Sequence, residues 1–239
     1  MSFTRKLILS GDFSVVSQSK EIHFRVNDKV GEVSGLLLRP KGAAALLVLA
    51  HGAGAGMRHK FMEAIAEKLA LVGVATLRYQ FPYMEKGIKR PDSELVLTET
   101  ARAAVSAGGK YADDLPLFAA GKSMGGRMTS LAAAREPLDG VRGLIFFGFP
   151  LHAAGKSSAD RGQHLFDVKV PMLFLQGSRD TLADLKLLKP LCARLGKRVD
   201  LFVIDGGDHS FHMLKSSGRS DDEVLDQVAK KTAAWMFKL

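Results

Sequence analysis

Cysteine is almost absent from this sequence: Cys192 is the only one, so no disulfide can form within the chain. It stands among Leu187, Leu188, Leu191 and Leu195 in a helical pattern, which makes it an expected core thiol. Long apolar runs are missing too. The stretch Leu7 to Leu9 is too short for the core of a signal peptide, and no segment approaches the ~20 apolar residues of a membrane span. A soluble, cytoplasmic protein without a membrane partner is the expectation. Acidic residues are fewer than basic ones, 25 against 34, for a net charge of +9. Such an excess raises nucleic acid, anionic surfaces and acidic substrates as partners. The basic residues are scattered, however, and none of their runs is interleaved with aromatics as a single-strand surface requires, so nucleic acid is not expected. Histidine spacing fits no zinc site, and no metal is expected. Repeats, low-complexity tracts and long linkers are also lacking. The 239 residues, 46% of them hydrophobic, are therefore expected to form one domain, 1–239.

What is present is an alternation of short apolar runs and amphipathic stretches. Glu21 to Val26 and Glu32 to Leu38 read as an antiparallel pair of strands around Asn27-Asp28 and Gly31. From Ala43 the pattern becomes strand, helix, strand, helix. Ala44 to Ala50, Val74 to Tyr79, Leu115 to Ala120, Val141 to Phe147, Pro171 to Gln176 and Val199 to Ile204 are the strands. Between them, Phe61, Ile65 and Leu69 mark a helix that stops at Gly73, and Asp92 is a plausible cap for a helix closed by Gly108-Gly109. Further helices are expected from the residue after Ser123 to about Arg135, from Leu182 to Leu195 and from Ser220 to Phe237. This order predicts an α/β fold, a mostly parallel doubly wound sheet with antiparallel N-terminal strands.

Reactive residues in such a sheet stand on loops at the carboxyl ends of strands. Gly121-Lys122-Ser123-Met124-Gly125 occupies one of these loops and has the G-x-S-x-G form of a nucleophile elbow, a turn too tight for a Cβ on either side of the serine. Asp180 follows the next strand but one through Gly177-Ser178-Arg179, and His209 follows the last strand through Asp205-Gly206-Gly207-Asp208. The chain order Ser, Asp, His suits a nucleophile, its orienting acid and its base. Asp180 also has a plain reading as a helix cap, and Asp184 and Asp208 compete with it as carboxylates, although Asp208 adjoins His209 and is badly placed to orient it. The N–H groups of Met124 and Ala53, the latter in His51-Gly52-Ala53-Gly54-Ala55-Gly56, are the expected oxyanion donors. His51 reads as a stabiliser of that loop, His212 as packing or a support behind the site, and Arg127 as a helix anchor or the partner of a carboxylate. Lys122 either attracts a substrate carboxylate, points into solvent or pairs with a structural acid.

Six segments together resemble the small α/β hydrolases related to dienelactone hydrolase: His51 to Ala55, Phe81 to Glu85, Gly121 to Arg127, Phe149 to His152, Gln176 to Asp180 and Gly207 to Phe211. More closely they resemble the subgroup that includes testis-expressed protein 30 and the third subunit of the nonspecific lethal chromatin complex. The resemblance implies the α/β-hydrolase fold and Ser123, Asp180 and His209 as catalytic residues. Dienelactone hydrolase itself uses a cysteine where this chain has Ser123, so the implied chemistry is that of a serine esterase or thioesterase on a small-molecule ester, with no cofactor. Members of the subgroup also act in larger assemblies, which leaves open a scaffold that binds a protein partner without catalysis. Only about twenty residues separate Phe147 from Val170, too few for a large cap. Phe81, Pro82, Tyr83 and Met84, with Phe149 and His152 opposite, are expected to wall a pocket for a small to medium acyl group, unless they merely pack their loops.

Overall fold

Uninterrupted apolar runs become the middle of a single eight-stranded sheet in the computed structural model, which describes residues 18–239. Leu7 to Leu9 lies outside the described residues. In chain order the elements are β1 (Lys20–Asn27), β2 (Gly31–Leu38), β3 (Ala45–Ala50), α1 (Lys60–Leu71), β4 (Val74–Tyr79), α2 (Pro82–Glu85), α3 (Glu94–Ala112) and β5 (Leu117–Lys122). They continue with α4 (Met124–Arg135), β6 (Val141–Phe147), β7 (Met172–Gly177), α5 (Leu185–Leu195), β8 (Val199–Ile204) and α6 (Asp221–Met236). The strand order is β1-β2-β4-β3-β5-β6-β7-β8. β2 runs antiparallel to both β1 and β4, and every other pairing is parallel, as the alternation of strand and helix predicts.

β3 is buried along its whole length because both of its faces are covered. Leu46, Val48 and Ala50 point to one side, where Leu97 and Ala101 of α3, Met128 of α4 and Leu188 of α5 complete a core. Ala45, Leu47 and Leu49 point to the other, towards Phe61 and Ile65 of α1 and Val224 and Val228 of α6. Each of the larger side chains, Val, Leu, Ile, Phe or Met, when fully buried, stabilises the fold by about 1.5–3 kcal/mol before chain entropy is counted.

Two helices differ from the sequence expectation, for local reasons. α3 does not stop at Gly108-Gly109 but continues to Ala112, and Ser93, not Asp92, caps it by accepting from the Val96 N–H. Gly108 lies where the helix crosses β3, and a Cβ there would collide with Val48 Cγ2. The glycine marks a close approach, not an end. Asp92 instead accepts from the N–H of Tyr83 at 2.8 Å. α5 begins at Leu185 rather than Leu182, because Asp184 takes the cap by accepting from the Lys186 N–H. α6 carries a full capping box, Ser220 and Glu223 each bonding the other's backbone N–H. Between β6 and β7 the chain forms one 3-10 segment, Asp160–Phe166, and no larger insertion. Among the described residues no helix is long and apolar enough to cross a membrane.

Candidate active site

The turn from β5 into α4 is as tight as its glycines suggest. A Cβ at Gly125 would stand 2.5 Å from the His51 carbonyl oxygen, and one at Gly121 would run into the backbone of Gly125 and Gly126. Ser123, between them, has φ 51° and ψ −118°, a conformation that L-residues avoid and that costs of order 1–3 kcal/mol. Its own N–H donates to the Phe147 carbonyl at the end of β6, and its carbonyl accepts the first helical bond of α4, from Arg127. The side chain is thereby lifted out at the carboxyl edge of the sheet.

Ser123, His209 and Asp180 meet at that edge. Ser123 Oγ is 2.8 Å from His209 Nε2, and His209 Nδ1 is 2.7 Å from Asp180 Oδ2. A carboxylate only accepts, so Nδ1 carries the ring proton and Nε2 is left to accept from the serine hydroxyl. Asp180 is almost wholly buried, and both its oxygens are occupied: Oδ1 accepts from the Leu182 N–H at 2.8 Å, while Oδ2 also accepts from Gln176 Nε2. Asp184 and Asp208 are engaged elsewhere. Asp184 caps α5, and Asp208 Oδ1 accepts from the N–H groups of Ser210 and His212, shaping the turn that presents His209.

The loop carrying Ala53 packs against the serine, since a Cβ on Gly52 would lie 3.7 Å from Ser123 Cβ. His51 sits wholly buried beneath this loop. Its Nδ1–H donates to the Gly52 carbonyl and its Nε2 accepts from the Phe81 N–H, so it braces the loop, as the sequence suggests. Burial lowers its pKa to about 4, and it is neutral. Tyr83 Oη accepts from the Gly54 N–H at 3.2 Å and braces the same loop from the other side. Among the described residues, no protein acceptor takes the N–H of Ala53 or of Met124.

Of the residues expected to wall a pocket, Phe81, Pro82, Tyr83 and Phe149 are buried, the arrangement of the loop-packing alternative. Phe81 packs edge-on against His51 and Tyr79, and Phe149 against Phe146 and Phe174, because an aromatic ring beside a strand end gains more from the core than from water. His152 is fixed as well, its Nε2 accepting from the Asp184 N–H, and it borders a surface cleft with Lys156, Arg179 and Lys186. Met84 and Met124 are half-buried, and Ala53 is exposed.

Two polar residues were not given these places by the sequence. Gln176 is fully buried at the end of β7, donating to Asp180 and accepting from the Phe149 N–H at 2.9 Å. Lys122 neither reaches solvent nor pairs with an acid: it is buried, and its Nζ donates to the His209 carbonyl at 2.6 Å. The available signal was a polar side chain closing an otherwise apolar strand. His212 bonds Asp221, and Arg127 pairs with Glu94 of α3, an anchor as expected.

Comparison with known proteins accords with this architecture. A protein of Methylorubrum extorquens provisionally named a carboxymethylenebutenolidase is 32% identical over 131 residues, 52% of this chain and 44% of that protein. A Mycobacterium tuberculosis protein provisionally named a phosphoribosyl transferase is 28% identical over 213 residues, 86% of this chain and 43% of that one. The chain thus spans less than half the length of these curated relatives. Among solved structures, an alpha-beta serine hydrolase homologue from Coxiella burnetii superposes with a TM-score of 0.71 at 22% identity, covering 91% of this chain and 99% of that one. Dienelactone hydrolase from Anabaena variabilis does so with a TM-score of 0.69 at 22% identity, covering 93% and 99%. At these identities the likeness is one of fold. The profile of the alpha/beta hydrolase domain family matches residues 43–237, and the chain, with its sheet order and its serine at the β5–α4 turn, belongs to that family.

Proposed function

We propose that this protein is a serine hydrolase that cleaves a carboxylic ester or thioester through an acyl-enzyme. The observation that carries the reading is the unbroken hydrogen-bonded line from Ser123 Oγ through His209 to Asp180, on a serine held at positive φ. In this reading Ser123 Oγ attacks the acyl carbon while His209 Nε2 takes its proton. Asp180 stabilises the imidazolium that forms. The tetrahedral oxyanion is met by the N–H groups of Met124 and Ala53, each of which typically lowers the barrier by about 3 kcal/mol. His209 then protonates the departing alkoxide or thiolate, and water releases the acyl group by the same route in reverse. No step calls for a metal or organic cofactor. One continuous sheet supports treating the chain as a single domain. The names dienelactone hydrolase and carboxymethylenebutenolidase belong to the relatives, and they make carboxylic esters the first class to try. Small to medium acyl groups are the size class of this reading, in keeping with the absence of a large insertion between β6 and β7.

The test is labelling by a fluorophosphonate probe with Ser123→Ala as control, followed by turnover of esters from acetyl to decanoyl. Labelling that disappears in the variant, with short esters turned over fastest, is the expected result. A folded protein that takes no probe would replace this reading with that of a non-catalytic scaffold for a protein partner. Rates climbing steadily with acyl length would overturn the size preference alone.

A further inference from the structure

Lys122 closes a strand whose other residues, Leu117 to Gly121, are all buried, and it is itself only 7% exposed. A lysine at such a place loses most of its hydration, which costs several kcal/mol unless other groups replace the water. Here the replacement is specific. Nζ donates to the backbone carbonyl of His209 at 2.6 Å and lies 5.6 Å and 5.9 Å from the ring centroids of Phe61 and Phe211. Asp180, on the loop after β7, and Asp208, on the loop after β8, supply the negative field that holds the charge. Burial nevertheless outweighs them and lowers the lysine's pKa to about 8.

The surroundings leave room for this bond. Gly148, after β6, has φ +71°, and a Cβ on it would stand 2.9 Å from the His209 oxygen and 3.1 Å from Lys122 Nζ. Phe211, two residues after His209, has φ 66°, so the turn that presents the imidazole is strained and has to be held. Asp208 holds that turn from within, through the Ser210 and His212 N–H groups, and Asp180 orients the ring. Lys122 holds the peptide of His209 itself, and does so from the residue that precedes Ser123.

We infer that Lys122 is a positioning residue: its ammonium fastens the His209 peptide to the strand that carries Ser123, and so sets the separation of Oγ and Nε2. The inference rests on the reading of His209 as the base. Lys122 touches no reacting atom. Its contribution is to alignment, where a displacement of about 1 Å can cost 10²-fold in rate.

The experiment compares Lys122→Met, which keeps the stem's bulk and removes the donors, with Lys122→Arg, which keeps donors and charge. Lys122→Leu is the third variant, a second donor-free side chain that can pack beside Phe61 and Phe211. Each is measured for fluorophosphonate acylation rate, kcat and KM on a short ester, urea midpoint, and the downfield proton resonance of His209 Nδ1–H. Lys122→Met and Lys122→Leu are expected to lose about 10- to 100-fold in acylation rate and kcat with KM within about twofold. Their Nδ1–H resonance shifts or broadens, and Lys122→Arg recovers part of both losses. Wild-type acylation and an unmoved resonance in folded Lys122→Met, or in Lys122→Leu should Lys122→Met not fold, would overturn the inference. If the wild-type protein takes no probe, the hydrolase reading fails, and the resonance alone decides whether Lys122 positions His209.

Discussion

Asp180 makes three hydrogen bonds with two oxygens, and the one to His209 Nδ1 selects the tautomer that leaves Nε2 free for the serine proton. Replacing it by Asn keeps the shape but allows the amide to donate towards Nδ1, which then accepts and puts the ring proton on Nε2. Asp180→Asn is therefore expected to lower kcat by about 10⁴ on the best ester substrate, and to lower the urea midpoint as well, because the new amide also faces the Gln176 donor. A loss below tenfold would mean that Asp180 orients nothing essential. Gln176→Leu tests the support beneath it. That change removes a donor from Asp180 and orphans the buried Phe149 N–H, for an expected loss of about 1–3 kcal/mol in urea unfolding and a fall in kcat. A variant as stable and active as the wild type would show that water replaces the amide.

Helices carry their own predictions. Gly108 and Gly109 are adjacent in α3, yet only the first meets β3: a Cβ at Gly108 collides with Val48, while one at Gly109 has nothing nearer than Leu117 Cδ2 at 4.0 Å. Gly109→Ala is expected to stabilise by about 0.5–1 kcal/mol through helix propensity. Gly108→Ala, with the same propensity gain, is expected to destabilise by about 1–3 kcal/mol through overpacking. Denaturation of the pair settles both, and equal shifts would mean that Val48 yields. The same pair explains what was legible in the sequence. Strand cores could be read because uninterrupted apolar runs suit only a doubly covered sheet, and the β5 turn because three glycines bracket one serine. The glycine pair was misread as a stop because a glycine admitted for close approach looks the same as one admitted for its φ. The inward turn of Phe81 and Phe149 was not legible either, since an aromatic ring after a strand serves core and pocket equally until its neighbours are known. Asp180 could be placed from chain order and its distance past a strand, but Gln176 meets Asp180 and the Phe149 N–H, and Lys122 the His209 carbonyl, through contacts that no local motif records.

Across the molecule, titration and burial are coupled. His51 and His164 are both depressed from 6.5 to about 4, burial being the larger cause in each. Between those values the unfolded chain binds protons that the folded one refuses, so stability falls as pH drops from about 6.5 towards 4. Lys122 is depressed from 10.5 to about 8, and by the same sign its share of stability rises as pH climbs across that interval. Urea midpoints are expected to decline from pH 7 to pH 5, and Lys122→Met to flatten the alkaline rise. A midpoint constant from pH 7 to pH 5 would mean that both imidazoles reach water. The sheet order has another outcome. Ser123 and His209 lie 86 residues apart, on the middle strand region and beyond the outermost strand of the same sheet. During biosynthesis the serine leaves the ribosome long before its partner, in a chain unable to align the two until β8 has docked. On the proposed chemistry, unfinished or partly unravelled chains are inert, and probe uptake at Ser123 becomes a measure of completed assembly.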